Sequence, residues 1–177
     1  MKAHSFIYLI IYSCFIMSVS LQAQEHFADR YNVSYITMDD GLPHNFIDDI
    51  YKDTRGFLWI STAGGGLSRY DGYEFIHFNP NTPHSKLKSN FIHNVYEDRF
   101  HRLWIVSEGG TDIIDLSTLQ SVIPNDPKGL LPRFINHPTY IVILDSQGCI
   151  WLQCDNALHR ITFDAEGGID TLSTLDL

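Results

Sequence analysis

The sequence has little basic charge and no sign of a low-complexity or collagen-like composition. Its 177 residues include 12 lysines and arginines against 21 aspartates and glutamates, so the formal net charge is −9. This excess of acidic residues disfavours binding to nucleic acid or to an anionic membrane surface. Hydrophobic residues make up 44% of the chain, which is enough to form a core. The composition therefore predicts one globular domain and excludes a disordered chain.

Cysteine is also scarce, with three residues in the chain. Cys149 and Cys154 flank I-W-L at 150–152, and this run predicts a single strand. Five residues along a strand span about 16 Å, whereas the two Cα atoms of a disulfide lie about 4.4–6.8 Å apart. We therefore expect two buried free thiols. Because no second cysteine pair or histidine pair has the spacing of a zinc site, we predict no metal site and no cofactor.

The N-terminus is a hydrophobic segment with a positive charge before it. Lys2 precedes an apolar run over 6–19, and small or polar residues follow at 18–24. The run has about 14 residues, whereas a membrane-spanning helix needs roughly 20. This pattern is typical of a secretory signal peptide cleaved after residue 23, so we expect an exported chain. An uncleaved membrane anchor and a lipoprotein signal ending at Cys14 are the alternatives.

The strongest pattern in the sequence is an internal repeat. Nine positions of a first copy recur with the same or a similar residue 45 positions later, and a third copy follows after a further 47. All three tryptophans of the chain fall on one repeat position. A fixed period of this length predicts a repeated supersecondary unit. The aligned positions with expected structural roles are Asp53, Gly56, Trp59, Asp98, Trp104, Asp145, Gly148 and Trp151.

The first copy predicts an antiparallel meander of four strands. D-T-R-G at 53–56 places Asp first and Gly fourth in a type I turn, between β-rich runs at 46–52 and 57–62. G-G-G at 64–66 and D-G at 71–72 predict two further turns. Neighbouring apolar residues within the predicted strands require cover on both faces, as in sheets that stack side by side. We therefore predict an all-β fold, an incomplete β-propeller of about three four-stranded antiparallel blades, with a β-sandwich as the alternative.

The second and third copies depart from the first at their turns. His101 stands where the first copy has Gly56, and D-N-A-L at 155–158 replaces the triple glycine. We expect altered turns in both copies, and a strand over 31–38 ahead of the first full blade. The predicted segments are a signal peptide (1–23), a leading strand and linker (24–44), and blades over 45–80, 81–125 and 126–177.

Residues 53–75 also have a family resemblance. They combine D-x-x-G-x-L-W-I-x-T with G-G-L-x-R-Y-D-G-x-x-F, and this combination resembles the two-component regulator propeller repeat. The resemblance extends over roughly 31–177, and D-D-G-L-P at 39–43 is similar to the start of the sensor region of hybrid two-component histidine kinases. It implies a non-catalytic, periplasmic, ligand-sensing propeller portion of a signal transduction sensor. The kinase of such sensors is absent from these residues, and the implied ligand is a small molecule or oligosaccharide.

A propeller closes with about four to eight blades, so three blades leave an open ring. Each end of such a set exposes an apolar blade face and unpaired strand edges. We expect a truncated or split sensor whose ring is closed by a second copy of the chain or by the remaining sensor chain.

No group of residues in the sequence indicates catalysis. G-G-G at 64–66 lacks the Lys-Ser/Thr pair of a phosphate-binding loop. D-D pairs at 39–40 and 48–49 suggest the paired carboxylates of a glycosidase, but adjacent residues on a strand point to opposite faces. We assign no catalytic or ligand-binding residue, and we expect the tryptophans to be packing residues. The alternative function is a propeller-type carbohydrate-active enzyme, a lyase or hydrolase fragment.

Overall fold

The computed structural model of the protein describes residues 33–83, 86–133 and 135–177. The predicted signal peptide lies outside these residues. Residues 36–177 form one compact unit. This unit contains three antiparallel sheets of four, three and four strands, and their stacking confirms the predicted incomplete propeller. We call the sheets blades 1, 2 and 3.

Consecutive strands pair with each other throughout, because short turns join them and antiparallel neighbours need only a few connecting residues. Blade 1 comprises β1 (Ile47–Lys52), β2 (Leu58–Thr62), β3 (Gly66–Tyr70) and β4 (Phe75–Phe78). Blade 2 comprises β5 (Ile92–Glu97), β6 (Arg102–Ser107) and β7 (Gly110–Asp115). Blade 3 comprises β8 (Thr139–Leu144), β9 (Ile150–Cys154), β10 (Ala157–Phe163) and β11 (Ile169–Asp176). Short 3-10 helices cover Met38–Asp40 and Leu131–Arg133.

Blade 2 differs from the prediction because it has three strands instead of four. The chain after β7 returns along the sheet edge only over 120–122, beginning where the Asp115 N–H donates to the Gln120 carbonyl at 3.0 Å. Ile114 forms an isolated bridge with Ser121, and the Val122 N–H donates to the Ile113 carbonyl at 2.9 Å. Pro124 and Pro127 follow in 121–130. Proline has no N–H to donate, so this segment cannot continue the ladder as a fourth strand.

The strand predicted over 31–38 is absent from its described part. Residues 33–37 have no strand, and Met38–Asp40 is a 3-10 helix. The Asp40 carboxylate accepts hydrogen bonds from the Thr37 N–H at 2.8 Å and from its hydroxyl at 3.0 Å. A strand needs a sheet edge to satisfy its backbone groups, whereas this capping box satisfies them locally. The D-D pair at 39–40 therefore belongs to a helical turn.

The prediction of an altered turn at His101 is wrong. The His101 N–H donates to the Asp98 carbonyl at 3.1 Å, just as the Gly56 N–H donates to the Asp53 carbonyl at 3.0 Å. His101 adopts the left-handed conformation that glycine favours, with φ of 58°. Its ring nitrogen Nδ1 lies 2.8 Å from Glu97 Oε1, a contact that fixes the side chain. Histidine therefore replaces glycine here without a change of turn.

The turns between the second and third strands do change, as expected for the third copy. In blade 1 three residues separate the paired Thr62 and Gly66, whereas in blade 3 two residues separate Cys154 from Ala157. The two residues, 155 and 156, both have positive φ, of 48° and 63°. This is the conformation of a type I′ hairpin, for which Asp and Asn are suited. Blade 2 also has a two-residue turn, between Ser107 and Gly110.

Two hydrophobic clusters join the blades face to face. The first cluster lies between blades 1 and 2 and contains Trp59, and the second lies between blades 2 and 3 and contains Trp104. Both tryptophans are fully buried. Trp151, at the same repeat position of blade 3, is only partly buried, because no other described sheet packs on that face. The core is thus divided between the blade interfaces.

Candidate functional site

The repeated aspartate and tryptophan form one structural device in each blade. In blade 1, Asp53 Oδ1 accepts hydrogen bonds from the N–H groups of Arg55 at 3.0 Å and Phe57 at 2.9 Å. Its other oxygen, Oδ2, accepts from Trp59 Nε1 at 2.9 Å. The carboxylate therefore closes the turn between β1 and β2 and fixes the indole at the same time.

The same bonds recur in the other blades. Trp104 Nε1 donates to Asp98 Oδ2 at 2.8 Å, and Trp151 Nε1 donates to Asp145 Oδ2 at 2.9 Å. The hydrogen bond from Trp151, together with backbone N–H donors in the turn, lowers the pKa of Asp145 to about 2. The carboxylate and the indole N–H of each repeat are therefore engaged with each other inside their own blade.

Acidic side chains also join neighbouring blades. Glu97 accepts hydrogen bonds from the Thr54 N–H and hydroxyl of blade 1, both at 2.7 Å. Burial by itself raises the pKa of Glu97, but the hydrogen bonds from Thr54 and His101 outweigh it and lower the pKa overall. Asp49 Oδ2 accepts from the Val95 N–H at 3.2 Å. Asp49 therefore forms a contact between blades 1 and 2.

The two thiols are buried and unpaired, as predicted. Cys149 and Cys154 are both free cysteines in buried positions. Burial raises the pKa of Cys154 to about 11, and it also raises the pKa of Cys149. High thiol pKa values disfavour a nucleophilic thiolate. Within 33–83, 86–133 and 135–177, no group of three or more His, Cys, Asp and Glu side chains is placed to hold a metal ion.

The first strands of the three blades share a feature that the sequence did not reveal. Each has a break in register at the same place, which leaves one extra residue in the strand. The extra residues are Asp48 in β1, His93 in β5 and Tyr140 in β8. A β-bulge of this kind bends the strand and redirects a side chain, and such bulges are frequent beside binding sites. Since β5 contacts both β1 and β8, the three bulges lie along neighbouring strands.

Exposed aromatic side chains surround these bulges. Phe46 and Phe91, which precede the first two bulges, are 62% and 50% exposed, and Tyr140 is 51% exposed. The rings of His93 and Tyr140 lie 5.2 Å apart. His93 Nε2 is buried and has no hydrogen-bond partner among the described residues. We call Phe46, Asp48, Phe91, His93 and Tyr140 the bulge surface.

The backbone holds the two phenylalanines in equivalent positions. The Phe46 carbonyl accepts from the Ala63 N–H at 3.1 Å, and the Phe91 carbonyl accepts from the Glu108 N–H at 3.3 Å. Each bond ties the start of a first strand to the turn after the second strand of the same blade. The bulge surface therefore combines aromatic faces, a carboxylate and an imidazole on a fixed backbone, a combination suited to a ring with polar substituents.

Comparison with known families identifies the repeats. Residues 41–64 and 86–109 match the two component regulator propeller. The chain therefore contains repeats of the two-component regulator propeller family. The comparison with curated proteins finds no relative of the chain.

Solved structures with the same fold include extracellular domains of putative two component and one component systems. The extracellular domain of a putative hybrid two component system from B. thetaiotaomicron matches 81% of this chain and 20% of its own, with 21% identity and a TM-score of 0.63. The extracellular domain of a putative one component system from the same organism matches 75% of this chain and 19% of its own length. The identity is 25% and the TM-score is 0.56. This chain thus spans about a fifth of these domains.

A streptogramin B lyase also shares the fold, with 15% identity over 77% of this chain and 42% of its own, and a TM-score of 0.50. At this level of identity the likeness concerns the fold alone. No helix in the described part of the chain is long and apolar enough to cross a membrane.

Proposed function

We propose that this chain is the ligand-sensing propeller portion of a two-component signal transduction sensor, exported to the periplasm, and that its ligand is a carbohydrate. The repeat family and the extracellular sensor domains with the same fold support the sensor class. The bulge surface is the observation that favours a carbohydrate. A sugar ring presents an apolar face to an aromatic side chain and hydroxyl groups to polar ones, and this surface offers both kinds of partner.

Binding to a panel of plant and host oligosaccharides, followed by calorimetric titration of any that bind, tests this proposal. We expect Tyr140→Ala and Phe91→Ala each to weaken binding by about tenfold, which corresponds to about 1.4 kcal/mol. Tyr73→Ala is the matched control, since Tyr73 is 91% exposed but lies in the turn between β3 and β4. Equal loss in all three variants, or no oligosaccharide binding at all, would contradict the proposal.

The alternative is a carbohydrate-active propeller enzyme, and the same surface is where its chemistry would lie. Asp48 and His93 are residue types that serve as general acids and bases. We expect no turnover of the bound oligosaccharides. If reducing ends or unsaturated products are released, and Asp48→Asn abolishes their release, the chain is an enzyme and the sensing proposal is wrong.

We further propose that a second copy of the chain or the remaining sensor chain covers the outer face of blade 3 and closes the ring. Partly buried Trp151 and exposed Ile141, Ile143 and Leu175 support this proposal. The side chains of Trp151 and Ile143 lie on the same face, since the two residues pair across β9 and β8. Contiguous exposed apolar patches on soluble proteins mark interaction surfaces, and this general observation supports the proposal.

A further inference from the structure

The missing fourth strand of blade 2 leaves a cavity beside β7. The cavity has a volume of about 420 Å³, which is within the range of about 300–1,000 Å³ for small-molecule sites. Its lining comes from the connection before β5, the first half of β7, and two stretches after β7, at 121–123 and at 132 with 135–136. The cavity therefore follows from the prolines that prevent this segment from pairing as a strand.

The segment that encloses the cavity is anchored to the blade. The Thr111 N–H donates to the Ile135 carbonyl at 3.0 Å, and Leu131, which is buried, begins the short 3-10 helix. A side chain at position 110 would clash with the Ile135 carbonyl, so Gly110 allows this close approach. The cavity wall is thus held in place by hydrogen bonds and packing at the start of β7.

The cavity is lined by two lysines and one aspartate, so its side chains carry one excess positive charge. Lys88 Nζ lies 3.1 Å from Asp112 Oδ1, and the Lys88 N–H donates to Asp112 Oδ2 at 2.8 Å, so these two side chains neutralise each other. Lys86 also lines the cavity and has no hydrogen-bond or ion-pair partner among the described residues. One positive charge is therefore available in a protein whose net charge is −9.

The remaining wall is largely aliphatic. Val122, Ile123 and Ile135 line it, and Ile123 is 74% exposed at the rim. Apart from Ile113, the other lining residues that the structure describes are polar, charged or proline, and none of the described lining residues is aromatic. An apolar body lying on Ile123 would remove that side chain from water and gain hydrophobic free energy.

We propose that this cavity binds a small organic anion, with one acidic group paired to Lys86 and a mainly apolar body against Ile123 and its neighbours. The site is separate from the bulge surface, and the proposal does not depend on the proposed carbohydrate ligand. It assigns the chain a second, chemically distinct binding site.

Two fluorescent probes of similar shape test the proposal on the purified chain. 8-Anilinonaphthalene-1-sulfonate has an apolar body and one acidic group, whereas N-phenyl-1-naphthylamine has the same body without the acid. We expect Lys86→Gln to weaken saturable binding of the sulfonate by about tenfold, as for loss of a charge-assisted hydrogen bond. The amine should bind Lys86→Gln and the unmodified chain equally.

Matched variants separate this cavity from other apolar surfaces. Lys52→Gln, an exposed lysine in β1, should leave binding of both probes unchanged. Ile123→Ser should weaken both probes, because it removes the apolar wall that they share. The proposal is overturned if the sulfonate shows no saturable binding, if Lys86→Gln binds it as well as the unmodified chain does, or if Lys52→Gln weakens it equally. Near-ultraviolet circular dichroism of each variant confirms that the fold is retained.

Discussion

At the residue scale, each blade depends on one carboxylate with two tasks. Asp53, Asp98 and Asp145 accept backbone N–H groups of a turn with one oxygen and an indole N–H with the other. Asp164 closes the turn between β10 and β11 in the same way, accepting from the N–H groups of Glu166 at 2.9 Å and Gly168 at 2.8 Å. The residue six positions later is Asp170, so this turn has no indole to fix. Turn closure and tryptophan placement are therefore separable.

The Trp151 hydrogen bond makes the pKa of Asp145 a testable quantity. Trp151 is the largest contributor to the lowering of this pKa from 3.8 to about 2, so Trp151→Phe should raise it toward 3.8. The backbone donors of Cys149 and Gln147 remain, and they should keep the pKa below that value. Carboxyl-carbon NMR across a pH titration measures the change.

The pKa of Asp71 provides an internal control in the same spectra. It is lowered by the N–H donors of Glu74 and Tyr73, which Trp151→Phe does not alter. Because the pKa of Asp145 is lower in the folded than in the unfolded chain, this carboxylate stabilises the fold above about pH 4, and the contribution is lost as the pH falls toward 2. An unchanged pKa of Asp145 in the variant would show that the turn alone sets it.

At the element scale, the blades differ in how completely each is covered. The face of blade 1 with Trp59 packs on blade 2, and the face of blade 2 with Trp104 packs on blade 3. Hydrogen bonds follow the same succession: Asn94 Oδ1 accepts from the Val142 N–H at 3.0 Å, as Asp49 accepts from Val95 at 3.2 Å. In blade 3 the residue equivalent to Asp49 and Asn94 is Ile141, which is exposed.

The two tryptophan environments predict different costs of truncation. Trp59→Ala should destabilise the fold by about 3–5 kcal/mol, because it leaves a cavity between two blades and an unpaired Asp53 oxygen. Trp151→Ala should cost clearly less, since solvent can reach the partly buried ring. Chemical denaturation of both variants measures the difference. Equal losses would mean that the outer face of blade 3 is covered in solution.

The sequence predicted the features that repeat in residue type and missed those that do not. The aspartate of the turn and the tryptophan recur as the same residue types at a regular period, and the structure contains the turn and the tryptophan in every blade. The bulge residues Asp48, His93 and Tyr140 differ in residue type, so no repeated residue in the sequence marks the bulge. Blade 2 has no fourth strand because Pro124 and Pro127 follow β7. The effect of these prolines depends on where the chain returns to the sheet, which the sequence does not specify. His101 was mispredicted because turn statistics favour glycine, whereas the contact with Glu97 fixes histidine in the left-handed conformation.

At the scale of the whole molecule, the unit over 36–177 leaves apolar side chains exposed on the outer face of blade 3. Ile143 is 50% exposed on the outer face of blade 3, beside Trp151. Soluble domains seldom expose contiguous apolar faces unless another surface covers them. A partner surface packed on this face would remove Ile143 and Trp151 from water.

The exposed apolar side chains on the outer face of blade 3 predict that the isolated chain associates with itself. Sedimentation velocity should show a mass that rises with concentration, and Ile143→Lys should reduce the association because it places a charge within the contact. Ile76→Lys is the matched control, since Ile76 is exposed on the outermost strand of blade 1. A monomer at all concentrations, or equal effects of the two lysines, would argue against this face as the contact.

The aspartate–indole hydrogen bond has a consequence for how such molecules change size over evolution. The bond spans six residues and lies wholly inside one repeat, whereas the packing it supports is made with the neighbouring repeat. A tandem duplication of the coding segment therefore supplies a unit that already orients its own tryptophan. The new unit needs only a compatible face on each neighbour, so copy number can change while the interior of every unit stays the same.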